Sequence, residues 1–164
     1  MRVAIIVPML LACLALAPGP VRAAAAAASG TAATEIGMRD GAAYRIDIPA
    51  RWNRGLVVFF HGYSVEPVVF RDGERLSPMF DPLLDKGFAV IQSAYSATGW
   101  AVEQGAADTE RLRRYFVARH GPPTRTFAMG MSMGGTLTVM AIETAPRTYD
   151  GALSLCGAIE PRSE

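Results

Sequence analysis

Four short, largely apolar runs constrain the fold of this chain more than any other feature. They lie at residues 56–60, 88–93, 126–130 and 151–156. A strand that is apolar on successive positions must be buried on both faces of its sheet. Such strands, alternating with helices, predict a parallel sheet covered on both sides. The predicted fold class is therefore α/β, a mostly parallel sheet with helices on both faces.

Three segments with helical features separate these strands, at 78–86, 106–119 and 133–145. Each ends at a Gly or Pro, the residues that most often stop a helix. A further segment, Ala43–Ile48, alternates apolar and polar residues before a proline. That alternation is typical of a half-exposed strand, which we place before the four buried ones.

The first 23 residues have the features of an export signal. They combine a positive start, the apolar run Val3–Ala17 and a small-residue cleavage pattern that ends at Ala23. The run is shorter than the roughly 20 residues of a membrane-spanning helix, so we expect no stable membrane span. A lipoprotein signal around Cys13 is an alternative, although apolar residues continue past that cysteine. The prediction is an exported protein, periplasmic or extracellular.

Residues 24–36 are rich in Ala, Ser, Gly and Thr, which predicts a low-complexity linker without fixed structure. The folded domain is then expected at 37–164.

Composition argues against several function classes. The formal net charge of +1 gives no case for nucleic-acid binding. The chain has two His and two Cys and contains neither CxxC nor HExxH, so we expect no metal site and no cofactor. Cys13 would leave with the signal. Cys156 has apolar neighbours and is predicted to be an inert, buried thiol.

The stretch GMSMG at 130–134 lies between a predicted strand and a predicted helix, as a nucleophile elbow does. Gly130 and Gly134 supply the small residues that such a tight turn requires. The turn predicts that Ser132 is a nucleophile at the carboxyl end of the sheet. The N–H of Met133, at the helix N-terminus, is the predicted oxyanion donor. The alternative is an ordinary turn in which Gly and Ser serve as helix caps.

A second turn, HGYS at 61–64, directly follows the buried strand 56–60. With both turns in place, the sequence resembles the α/β-hydrolase family, specifically its secreted serine esterases and prolyl-oligopeptidase-like peptidases. The resemblance covers residues 40–160 in the order turn, strand, helix, elbow and further strand. It implies that a second oxyanion donor is the N–H of Tyr63, with the N–H of Gly62 as the fallback.

The resemblance also implies an acid and a histidine base that follow Ser132 in the chain. Both histidines precede it. His61 is expected to stabilise its turn by hydrogen bonds, and His120 to act as a cation at a helix C-terminus. Glu160 is a weak candidate for the acid, since the adjacent Pro161 fits a plain loop equally well. The expectation is an α/β-hydrolase fold truncated after the strand that follows the nucleophile helix.

The predicted function is that of a serine hydrolase acting by acyl transfer on a small-molecule ester or a peptide. Without a base the serine is a poor nucleophile, so the chain is expected to be inactive or incomplete. The alternative is a catalytically inactive binding or scaffold protein that keeps half of the hydrolase fold. Tyr95 and Trp100 are expected to pack rather than line a pocket. Met131 and Met133 flank the serine as flexible gap fillers, close enough to touch an acyl group.

Overall fold

The computed structural model describes residues 31–158. The predicted export signal at 1–23 and the candidate acid Glu160 lie outside the described residues. Within them, three strands come first, and helices and strands then alternate along the chain. The strands are β1 (Thr31–Arg39), β2 (Ala42–Pro49), β3 (Gly55–Phe60), β4 (Phe88–Ser93), β5 (Arg125–Met131) and β6 (Gly151–Leu155). The helices are a 3-10 turn (Pro78–Phe80), α1 (Asp81–Asp85), α2 (Val102–His120) and α3 (Met133–Thr144).

The strands form one sheet with the order β1-β2-β4-β3-β5-β6. Strands β3 to β6 run parallel to one another, while β2 is antiparallel to both β1 and β4. This confirms the predicted α/β class with a mostly parallel sheet. Parallel strands end at the same edge, so the residues after Phe60, Ser93 and Met131 meet there. Tyr44 pairs with Ser93, which brings the β1–β2 turn to that edge as well.

The strand alternation divides the buried apolar residues between two faces. On one face, β-strand residues such as Leu56, Val58 and Ile91 pack with Phe116 of α2 and Leu137 of α3. The other face packs against α1 and the 3-10 turn, through Val57, Phe59, Val90, Phe80 and Leu84. Helices on both faces are therefore confirmed. No helix within residues 31–158 is long and apolar enough to cross a bilayer.

The first strand of the sheet begins earlier in the sequence than the composition indicates. β1 begins at Thr31, so residues 31–36, expected to be linker, form a strand. Glu35 explains how this strand is held: its carboxylate accepts hydrogen bonds from Tyr44 Oη at 2.8 Å and Tyr115 Oη at 2.6 Å. Burial alone would raise the pKa of Glu35, but these bonds and Arg119 together lower it. The carboxylate thus ties β1 to α2 as an anion.

Candidate active site

Ser132 lies on the turn between β5 and α3, with its side chain exposed to solvent. Its backbone has φ 56° and ψ −126°, a conformation that non-glycine residues rarely adopt. Its N–H donates to Leu155 O at 2.8 Å, and its carbonyl accepts from Gly135 N–H at 2.8 Å. A capping serine has an extended backbone, and its hydroxyl accepts from the first helical turn. Ser132 has neither feature, since its side chain makes no capping hydrogen bond.

The two elbow glycines lie where strands and helix approach too closely for a side chain. A Cβ on Gly130 would overlap the Gly134 carbonyl, and a Cβ on Gly134 would lie 2.6 Å from His61 O and nearer still to Phe60 O. Thr138 stabilises the start of this helix, because its buried hydroxyl donates to Gly134 O at 2.8 Å. These close backbone contacts explain why both positions require a residue without a side chain.

The turn after β3 lies against this elbow, because β3 and β5 are neighbouring parallel strands in which Phe60 pairs with Gly130. A Cβ built on Gly62 would meet Met131 O at 3.1 Å and Ser132 Cβ at 3.3 Å. The sheet therefore brings the 61–64 turn and Ser132 together, although about seventy residues separate them in the sequence.

Two backbone N–H groups lie at this junction without a helical or strand acceptor. Met133 is the first residue of α3, and the first N–H groups of a helix have no intrahelical partner. Tyr63 N–H has no hydrogen-bond partner within the part of the chain that the structure describes, and the Tyr63 side chain is 54% exposed. The positive end of the α3 dipole adds to the attraction of this spot for negative charge.

His61 is fixed in the turn rather than pointed into solvent. Its ring stacks on Tyr95 with centroids 3.8 Å apart, and Nδ1 lies 2.7 Å from Gly62 O. A carbonyl only accepts, so Nδ1 carries the proton and Nε2 is the free lone pair. Burial lowers the pKa of His61, against the opposing effect of the backbone of Gly62 and Ala94, and thus favours the neutral imidazole.

His120 lies at the opposite edge of the sheet, where α2 ends and the chain turns into β5. Its Nε2 is 3.8 Å from Glu35 Oε2. Burial lowers the pKa of His120 although Glu35 acts to raise it, so the cation expected at this helix end is disfavoured. No hydrogen bond within residues 31–158 joins either imidazole to the Ser132 hydroxyl.

The burial of three side chains near this edge agrees with the prediction in one case and differs from it in two. Tyr95 is buried, as predicted, but it also lines a groove at this edge, and its hydroxyl donates to His61 O at 3.1 Å. Trp100 was expected to pack but is 61% exposed. Cys156 was expected to be buried but is exposed, because it follows β6, the edge strand, whose Leu153 is also half exposed. A local apolar pattern does not reveal that a strand lies at an edge.

Asp108 is a site-positioning residue that the sequence did not indicate. It carries a charge, yet it is only 3% exposed. Its carboxylate accepts from Ser96 N–H at 2.6 Å and from the Arg111 side chain. Asp108 therefore fixes the loop that carries Tyr95 under His61. The signal available was its spacing from the apolar Leu112, one helical turn later on the same face.

Comparison with known proteins gives a likeness in structure and none in sequence. No protein-family profile matches the chain, and no curated protein sequence is similar to it. The solved structures that are similar over most of the chain include three that are at most 16% identical to it. They are an esterase of Pyrococcus furiosus, an acetyl xylan esterase from Aspergillus awamori, and an α/β serine hydrolase without a lid from Xanthomonas campestris.

Each match covers most of this chain but only about half of the matched protein. The Pyrococcus esterase has a TM-score of 0.59 at 14% identity, covering 77% of this chain and 50% of that one. The Aspergillus enzyme gives 0.56 at 16%, covering 73% and 50%. The Xanthomonas hydrolase gives 0.53 at 13%, covering 69% and 57%. This chain thus spans about half the length of the proteins it matches. Together with the sheet order and the turn at Ser132, these matches show that the chain has the α/β-hydrolase fold.

Proposed function

We propose that this chain carries the nucleophile and the oxyanion hole of a serine esterase. The observation that carries the proposal is the backbone of Ser132, held at φ 56° by contacts of Gly130 and Gly134 with neighbouring backbone. Strain of this kind persists only where the surroundings enforce it, and it is concentrated at functional sites. Here the strained residue has an exposed hydroxyl that makes no capping hydrogen bond to the helix.

The proposed reaction is acyl transfer. Ser132 Oγ attacks the ester carbonyl carbon, and the carbonyl oxygen becomes an oxyanion that accepts from the N–H groups of Met133 and Tyr63, with Gly62 N–H as the fallback donor. The alcohol leaves as the acyl–serine ester forms, and water later releases the acid. The hydroxyl proton must pass to a base. We assign that base and its partner acid to positions outside residues 31–158, where Glu160 is the weak acid candidate.

An ester is favoured over a peptide as the substrate. The Pyrococcus and Aspergillus proteins are named as esterases, and so is a brefeldin A esterase that is 19% identical with a TM-score of 0.52. The oxyanion donors proposed here are backbone amides, so the reaction requires no metal ion or organic cofactor from this chain.

The experiment that tests the proposal is covalent labelling with a fluorophosphonate, which a serine Oγ attacks at phosphorus with release of fluoride. Intact mass and peptide mapping should show one adduct, on Ser132. Ser132→Ala should abolish it. Ser96→Ala, which removes another exposed serine at the same edge of the sheet, should leave the labelling rate unchanged.

The result distinguishes catalysis from the alternative function. A folded protein, checked by circular dichroism, that takes up no label at Ser132 would support a binding or scaffold protein instead. Turnover is a separate matter: without a base, an oxyanion hole and binding give only roughly 10³ to 10⁴-fold over water. We therefore expect slow, selective labelling of Ser132 and negligible turnover of a p-nitrophenyl ester by the 164-residue chain.

A further inference from the structure

An apolar groove of about 470 Å³ opens at the same edge of the sheet as Ser132. Its walls come from three segments that are distant in sequence. The β1–β2 hairpin contributes Ile36, Met38 and Ala43, the loop after β3 contributes Val69 and Phe70, and Tyr95 follows β4. Met38 and Val69 are more than half exposed, so the groove opens to solvent between the hairpin and the loop.

The lining offers nothing that would recognise a charged or hydroxyl-rich molecule. None of the residues that line the groove carries a charge, and the Tyr95 hydroxyl already donates to His61 O. The two charged residues at the hairpin tip are held towards α2. Arg39 lies over the Tyr115 ring at 4.1 Å, and Asp40 pairs with Arg111 at 3.5 Å. A groove of this composition gains its binding free energy from apolar surface alone.

The 61–64 turn contacts both a residue of the groove and the elbow. Tyr95, which lines the groove, stacks on His61, and the next residue, Gly62, lies against Ser132. Only β4 and β3 lie between β2 and β5, so the hairpin is about 14 Å from the elbow at the usual strand spacing. Met131, which directly precedes Ser132 at the end of β5, adds apolar surface at the elbow, since it is 47% exposed. An extended chain bound at Ser132 would reach the groove by crossing the ends of β3 and β4 along this edge.

We propose that this groove binds the unbranched alkyl chain of an ester whose carbonyl lies at Ser132. The inference rests on the proposed function and narrows its substrate to uncharged esters whose alkyl chain is long enough to span the roughly 14 Å between elbow and hairpin. Each CH₂ that enters the groove should raise the specificity constant roughly fourfold, the equivalent of its transfer from water. Short esters such as acetates should gain nothing from the groove.

The test compares alkyl fluorophosphonates that carry ethyl, octyl and dodecyl chains, each below its micelle-forming concentration. The measured quantity is the rate constant for labelling Ser132. In the unaltered protein the dodecyl probe should react at least about tenfold faster than the ethyl probe. Val69→Glu, which puts a charge in the groove, should remove this preference. Val65→Glu changes an equally exposed valine of the same loop that does not line the groove, and should keep it.

Equal rates for all chain lengths, or a preference that survives Val69→Glu, would overturn the proposal. A protein that no probe labels would instead contradict the proposed function. In that case the groove is tested alone, by NMR titration of octan-1-ol into the Ser132→Ala protein. Saturable shifts of the Gly37 and Gly41 amides that Val69→Glu abolishes would support alkyl binding, and their absence would overturn it.

Discussion

At the scale of single residues, Ser132 combines strain with exposure, two properties that a folded chain rarely maintains together without a functional reason. A φ of 56° with ψ −126° costs about 1–3 kcal/mol for a residue that has a Cβ. The backbone contacts of Gly130 and Gly134 impose this cost, because neither strand nor helix can move away. We therefore predict that a substitution that relieves this strain raises the free energy of unfolding.

Ser132→Gly should stabilise the protein by about 1 kcal/mol, since glycine adopts this conformation freely but gains about 0.5–1 kcal/mol of entropy in the unfolded chain. Urea unfolding measures the difference. Ser132→Ala removes the same hydroxyl but keeps the Cβ, so it should change the free energy of unfolding by less than about 0.5 kcal/mol. Equal stability of the two variants would contradict the assignment of strain to this residue.

His61 gives the second prediction at this scale. Burial lowers its pKa below the usual 6.5, so the unfolded chain binds more protons than the folded one in that range. The stability from a neutral His61 is complete above about pH 6.5 and is lost as the pH falls towards the folded-state pKa. His120 shifts in the same direction, while Glu35 acts only at more acidic pH, below its usual 4.5.

Urea unfolding at about pH 7.5, 6.5 and 5.5 should therefore show stability falling with acidification. His61→Asn should flatten this dependence in part, and combining it with His120→Asn should remove what is left. If His61→Asn keeps the full dependence, the neutral, buried imidazole described for the turn is wrong.

At the scale of secondary-structure elements, the apolar runs predicted β3 to β6, and the alternation at Ala43–Ile48 predicted β2. β3 and β4 are largely buried, so their apolar composition reveals them, whereas β6 at the sheet edge is partly exposed despite its apolar sequence. β1 is different. Its Ala- and Thr-rich sequence has no apolar periodicity, and Glu35 holds it through Tyr115, eighty residues further along the chain. No local pattern carries such a contact, which explains why the sequence predicted a linker.

Glu35→Ala should destabilise the protein by about 1–3 kcal/mol, because the hydroxyls of Tyr44 and Tyr115 lose their acceptor. The matched control is Glu143→Ala, an exposed glutamate near the end of α3, which should change stability by less than about 0.5 kcal/mol. Thermal or urea unfolding measures both. Equal effects would show that β1 does not depend on this carboxylate.

At the scale of the whole molecule, the parallel sheet determines where the candidate site lies, because it brings residues from separate loops together at one edge. The sequence predicted the elbow and the neighbouring turn, since both are short motifs at strand ends. It did not predict the burial of Asp108 or the apolar groove. Both arise from packing between segments that are far apart in the chain.

Export is a prediction at the same scale. When the whole chain is expressed in a bacterium with a functional secretion pathway, the exported protein should begin at Ala24, after cleavage of the signal. Intact mass of the periplasmic or secreted fraction tests this. A protein that keeps Met1 in the cytoplasm, or one that carries lipid on Cys13, would contradict it.

The central claim is that the turn at Ser132 presents a nucleophile beside amides that stabilise an oxyanion. The most direct measurement is a crystal structure of the protein after reaction with a fluorophosphonate. The account predicts phosphorus bonded to Ser132 Oγ, with the phosphoryl oxygen about 2.7–3.1 Å from the amide nitrogens of Met133 and of Tyr63 or Gly62. A phosphoryl oxygen turned to solvent, or an adduct on any other residue, would contradict it.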